Sequence, residues 1–122
     1  MQTLIIAAVS VFFLGLGVVT MAVPARALAP FGVALTGPDA RNEVRAVYGG
    51  FGLAMGVLLA LAAWDVGPLR PGAVWAVAVA LAGMAFGRLV GRLIERPTAF
   101  YPVWFYFWVE AVAAAALLFA AG

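Results

Sequence analysis

Cysteine, histidine and lysine are absent from this 122-residue chain. Without them the protein has no thiolate nucleophile, no imidazole base, no Schiff-base amine and no disulfide. The usual nitrogen and sulfur ligands of zinc are missing, and so is the histidine that would hold an iron or magnesium tetrapyrrole. Charge is scarce as well: 10% of the residues are charged, and all seven basic side chains are arginine. Chemistry is left to five carboxylates, those arginines, three tyrosines, four tryptophans and a few hydroxyls and amides. The expectation is a protein with no cofactor and no metal, and not an enzyme.

What is present in excess is apolar surface. The hydrophobic fraction is 67%, far above the half or so of a soluble domain. A helix crossing a ~30 Å hydrocarbon core needs about 20 mostly apolar residues. The pattern predicts four such spans, at about residues 3–23, 45–64, 72–94 and 101–121, in a single transmembrane domain over 1–122. Ala27-Leu28-Ala29 resembles a signal-cleavage site. The segment before it has no basic n-region, however, and its apolar run is too long for a signal, so it reads as a retained span. Residues 24–44 read as a surface loop, broken by Pro24, Pro30 and Pro38 and kept apolar by Leu28, Phe31, Val33 and Leu35. Asp39 or Asn42 is expected to cap the second span.

The arginines set the orientation. Arg26, Arg41 and Arg45 flank the first connection, and Arg88, Arg92 and Arg96 flank the third. The second connection has only Arg70. This asymmetry places the two arginine-bearing loops in the cytoplasm. The expected fold class is all-α, an integral membrane four-helix bundle of antiparallel spans with both termini on the outer side. Trp64 and Trp75 would mark the outer interface, and the aromatic run Phe100–Trp108 would begin at the inner one.

Helices in lipid associate through close backbone approach and polar contacts. Small residues at four-residue spacing occur at Gly52 and Gly56, with Gly49 and Gly50 before them, and at Gly83, Gly87 and Gly91. A further run of small residues is Ala113–Ala116. These stripes suggest tight packing with the third span near the centre. Ser10, in the first span, is expected to bond its own helix.

Two charges lie where charge is expensive. Glu110 is about 13 Å into the fourth span, where an ionisable group costs roughly 2.5–3.5 kcal/mol on insertion scales. Counted from the intervening loop, Arg88 in the third span reaches the same depth to within about 2 Å. Arg92 lies one turn below Arg88, and Tyr106 one turn below Glu110. Glu43, Arg45 and Tyr48, at the start of the second span, belong to the same membrane face. The candidate site is thus an intramembrane polar cluster of Glu43, Arg45, Tyr48, Arg88, Arg92, Tyr106 and Glu110, open inward. The plainer alternative is a structural Arg88–Glu110 bridge that fixes helix rotation and binds nothing. Arg88 and Arg92 could also snorkel to the interface. Tyr48 and Tyr106 could simply pack.

The succession of Glu43-Val44-Arg45-Ala46-Val47-Tyr48-Gly49-Gly50, Gly87-Arg88, a loop with Pro97, and Glu110 resembles a family of small bacterial four-span membrane proteins of unknown function. That family repeats an E/D-x-R-x-x-Y-G-G signature, a G-R pair and a late membrane glutamate, and the likeness covers essentially the whole chain. The architecture is more loosely similar to the DoxX-like group, small four-span proteins found beside redox enzymes. The resemblance implies the four-span fold, a bacterial inner membrane, and importance for Glu43, Arg45, Tyr48, Arg88 and Glu110. It implies no activity. Arg92 and Glu95-Arg96 depart from it by making the inner mouth more basic.

Three functions follow. The first is a non-catalytic protein, either an accessory or structural subunit of a larger membrane complex or a lipid- or quinone-binding module. Its partners would be membrane lipids and a protein partner or further copies of itself. The second is a small proton-coupled transporter or channel using Glu110 and Arg88. An enzyme acting on lipid or isoprenoid ranks last, having only carboxylates and tyrosines for acid–base work. Nucleic acid is not expected, because topology already accounts for the arginines.

Overall fold

The computed structural model describes residues 1–96 and 99–121; Pro97 lies outside them. The described residues are all-helical, without strands. α1 spans Gln2–Ala22 and is followed at once by the short α2 (Pro24–Leu28) and a 3₁₀ turn over Ala29–Phe31. α3 (Pro38–Val44), a π-helical turn (Arg45–Gly50) and α4 (Phe51–Ala63) run together as one helix of 26 residues. α5 spans Leu69–Ile94, and a π-helical turn (Phe100–Trp104) leads into α6 (Phe105–Ala121). Tyr101–Pro102 is a cis peptide bond. Four helices, Gln2–Ala22, Pro38–Ala63, Leu69–Ile94 and Phe100–Ala121, are long and apolar enough to cross a membrane.

Residues 24–44 differ from the continuous loop expected of them. Pro24 and Pro38 start helices rather than breaking them, each at the first turn of its helix. At that position the missing N–H has no intrahelical partner to lose, and φ is already set for the helix. The second long helix therefore begins at Pro38, not Arg45. Its N-cap is Gly37 without a side-chain bond, so neither Asp39 nor Asn42 caps it. Gly32 ends the 3₁₀ turn at φ +74°, with its N–H on the Ala29 carbonyl. Glycine takes that conformation without the steric cost of a Cβ.

Two helix pairs make the bundle: α1 packs most closely on α4, and α5 on α6, with α4–α5 and α1–α6 contacts joining them. Glycines create the first pair. A Cβ built on Gly52 would lie 3.4 Å from Gly17 Cα, and one on Gly17 would lie 2.8 Å from the Leu53 nitrogen. A Cβ on Gly56 would meet the Leu14 side chain at 2.6 Å. The backbones approach this closely only because side chains are absent, the packing mode open to helices in lipid. Ser10 locks the same interface. Its hydroxyl donates to the Gly56 carbonyl across the pair at 2.6 Å, rather than to its own helix as expected.

The third-span stripe behaves otherwise. Gly83, Gly87 and Gly91 would each carry a Cβ into open space, with nothing within 4 Å. The spacing that packs span 2 is left unpacked on α5, so these glycines do not place α5 at the centre. α5 instead buries its other face, where Val74, Val77, Ala78 and Leu81 meet Leu117 of α6, Ile6 of α1 and Leu59 of α4 in one core. That core fills the end of the bundle nearer the α4–α5 turn. At this turn Arg70 donates to the Ala62 and Ala63 carbonyls at 2.9 and 2.8 Å and to Thr3 Oγ1 at 3.1 Å. The apolar core gives out beyond Ala85, and the polar site begins one turn later.

Candidate functional site: a forked ion pair beside an arginine-lined cleft

The site follows from the depth of two residues on neighbouring helices. Arg88 leaves α5 on the face that carries Leu81 and Ala85, and Glu110 leaves α6 on the face that carries Ala114 and Leu117. They meet as a two-point fork. Arg88 Nε donates to Glu110 Oε1 at 2.7 Å, and Nη2 donates to Oε2 at 2.9 Å. Glu110 is only 3% exposed. A planar guanidinium on a carboxylate is the strongest pairing of charged side chains, because both bonds are charge-assisted and parallel. Among the described residues no buried side-chain polar atom is left without a partner.

Aromatic rings complete the setting. The Arg88 Cζ lies 5.8 Å from the ring centres of both Phe31 and Tyr106. Those rings pack on each other at 5.5 Å, and Tyr101 stands 6.3 Å from Tyr106. A cation near ring faces is held by their quadrupoles, more firmly where water is excluded. Phe31 reaches this place from the 3₁₀ turn, which packs on the π-helical turn before α6 and lays the ring on Tyr106. From the sequence Phe31 is legible only as an apolar loop residue. Its lone large ring among small neighbours was the available signal.

The fork uses two of the five N–H donors of Arg88 and leaves three. Beside it opens a cleft of about 190 Å³, lined on α5 by Arg88, Gly91 and Arg92, beyond the helix by Glu95 and Arg96, and opposite by Val103 and Trp104. The cluster expected from the sequence is thereby divided. Arg88, Tyr106 and Glu110 come together, and Arg92 shares the cleft with Arg88. Glu43, Arg45 and Tyr48 do not join them. Arg45 donates from Nε to the Met21 carbonyl at 2.9 Å, at the end of α1. Glu43 and Tyr48 are exposed. Among the described residues none of these three makes a hydrogen bond or ion pair with Arg88 or Glu110. The reason is angular. The rise per residue fixes depth along the bundle, whereas the second long helix packs against α1 and carries its polar end to that side.

The arrangement can do a limited set of things. Each Glu110 oxygen accepts one bond from Arg88, and burial of the residue leaves its remaining lone pairs little access to a ligand. Among the described residues no group of three or more carboxylates converges. Arg88, Arg92 and Arg96 border the cleft, while the surface it presents is mostly apolar, which suits an amphiphile whose acceptor-rich head meets the arginines.

No curated protein and no solved structure matches the chain. The family described as a domain of unknown function, DUF4345, matches residues 1–121, and the chain belongs to that family.

Proposed function

We propose that this protein is a non-catalytic binding module of a bacterial inner membrane, holding the polar head of a lipid or quinone at the cleft beside Arg88. In this reading the four spans are antiparallel, both termini face the periplasm, and the cleft opens toward the cytoplasm. The arginine asymmetry between the connections supports that orientation. The observation that carries the reading is the Arg88–Glu110 fork itself. It fixes one arginine at the edge of a cleft, with donors to spare and two further arginines alongside. The exposed rings of Phe105 and Trp108 on α6 supply a side on which the module would lie against a larger membrane assembly as an accessory subunit.

A proton-coupled transporter is the competing role. It requires Glu110 to take up and release a proton, and Glu110 is almost wholly buried against Arg88, which favours binding over transport. The experiment is purification in mild detergent followed by extraction and mass analysis of what is bound. Stoichiometric lipid or quinone, lost in Arg88→Ala, is the expected result. Bare protein with no bound amphiphile at any detergent level rejects the reading, and proton flux in liposomes abolished by Glu110→Gln establishes the competitor.

A further inference from the structure

We propose that the cleft takes the phosphate of an anionic membrane lipid, with Arg92 and Arg96 contacting the phosphate oxygens and Arg88 forming the floor. This rests on the binding-module reading and narrows it to one head-group chemistry.

Charge is the first argument. Arg88 is neutralised by Glu110 through the fork. Of the other charges on the cleft wall, Arg92 and Arg96 outnumber Glu95 by one. A single surplus positive charge matches a phosphodiester, which carries one negative charge, and leaves a zwitterionic head group with no such complement. The carbonyl end of α5 itself repels anions, so the attraction has to come from these side chains. Arginine is suited to it, because its flat fork matches two phosphate oxygens at once.

Space is the second argument. A volume of about 190 Å³ corresponds to roughly six water molecules at ~30 Å³ each, enough for a phosphate and its ester oxygens. Gly91 lines the cleft, and a Cβ there would meet nothing within 4 Å, so this glycine is not required for helix packing and a larger side chain would project into open space at the cleft. Trp104 forms the opposite wall, a residue type that favours the head-group level.

Position is the third. Arg92 is in the last turn of a helix long and apolar enough to cross a membrane. Leu93 and Ile94 beside it are exposed. An apolar surface at the mouth suits the glycerol and chains of a lipid, which a free phosphate does not have.

The test titrates detergent-washed protein with phosphatidylglycerol, phosphatidylcholine, phosphatidylethanolamine and inorganic phosphate as separate arms. Bound lipid is counted by native mass spectrometry, and stabilisation is followed by thermal melting. One phosphatidylglycerol per chain is expected, weakened about five-fold by Arg92→Gln or by Arg96→Gln. Gly91→Leu keeps every charge and fills the cleft, so it should also lose that lipid. Gly87→Leu, on the same open helix face but outside the cleft lining, should retain it. Equal binding of phosphatidylcholine or phosphatidylethanolamine overturns the proposal, as does full binding by Gly91→Leu. Inorganic phosphate stabilising as well as the lipid assigns the site to a free anion and overturns it too. A separate ubiquinone arm distinguishes the two readings: quinone bound with no phosphatidylglycerol rejects the phosphate and keeps the binding module, and binding in none of the arms rejects both.

Discussion

Arg88 and Glu110, 22 residues apart in the chain, share two parallel hydrogen bonds of 2.7 and 2.9 Å where the apolar core ends. Removing one partner leaves the other charged and largely out of water, which typically costs about 3–5 kcal/mol. Arg88→Ala and Glu110→Ala should therefore each lower thermal stability in detergent sharply. The double variant Arg88→Met/Glu110→Leu should recover most of the loss, because apolar side chains of similar volume often replace a buried pair at little cost. Single variants that melt with the wild type would show that Arg88 reaches the interface by itself.

The glycines separate into two behaviours. Gly17→Ala places a Cβ 2.8 Å from the Leu53 nitrogen, and Gly56→Ala places one 2.6 Å from Leu14. Such overpacking is expected to cost about 1–3 kcal/mol. Gly83→Ala and Gly87→Ala meet nothing and should be neutral or stabilising by up to about 1 kcal/mol, the helix preference of alanine over glycine. Thermal melts of the four variants test this, and the reverse ranking would refute the packing described for α1 and α4.

Arg70 is expected to matter more than its ion pair suggests. It donates to the last carbonyls of α4 and to Thr3 of α1, while its bridge to Asp65 spans 3.6 Å and the Asp65 side chain is largely exposed. Arg70→Ala should cost about 1–2 kcal/mol. Asp65→Asn keeps a residue that tolerates the left-handed φ of 59° there and should cost well under 1 kcal/mol. Equal melting temperatures for the two variants would assign the stabilisation to the ion pair.

Phe31 fastens the segment after α1 to the site. Phe31→Ala removes its contacts with Tyr106 and Arg88, worth about 0.5–1 kcal/mol. Hydrogen exchange should rise in residues 24–32 and remain unchanged along α1 and α4. Unchanged exchange in 24–32 would mean that the turn is held by other contacts.

The four long helices were legible because apolar length has one economical outcome in lipid. Arg88 and Glu110 were legible because each is costly alone and the 1.5 Å rise sets both at one depth. Depth says nothing of rotation, so the sequence alone does not separate Glu43, Arg45 and Tyr48 from a pair with which they make no hydrogen bond or ion pair among the described residues. Small-residue spacing marks faces that are able to pack, and Gly52 and Gly83 look alike until a partner helix is placed. Pro24 and Pro38 carry opposite meanings at a helix start and a helix interior, and their neighbours do not decide between the two. Ser10 reaches the Gly56 carbonyl only because glycine lets that backbone come close.

The pairing of α1 with α4 and of α5 with α6 also orders events during synthesis. The contacts of the first pair lie within residues up to Ala63, so they need no part of α5 or α6 in order to form. The second pair is different: Arg88 is translated 22 residues ahead of Glu110. Until then its guanidinium lacks the carboxylate with which it is paired in the folded bundle, and the later helix brings that counter-charge.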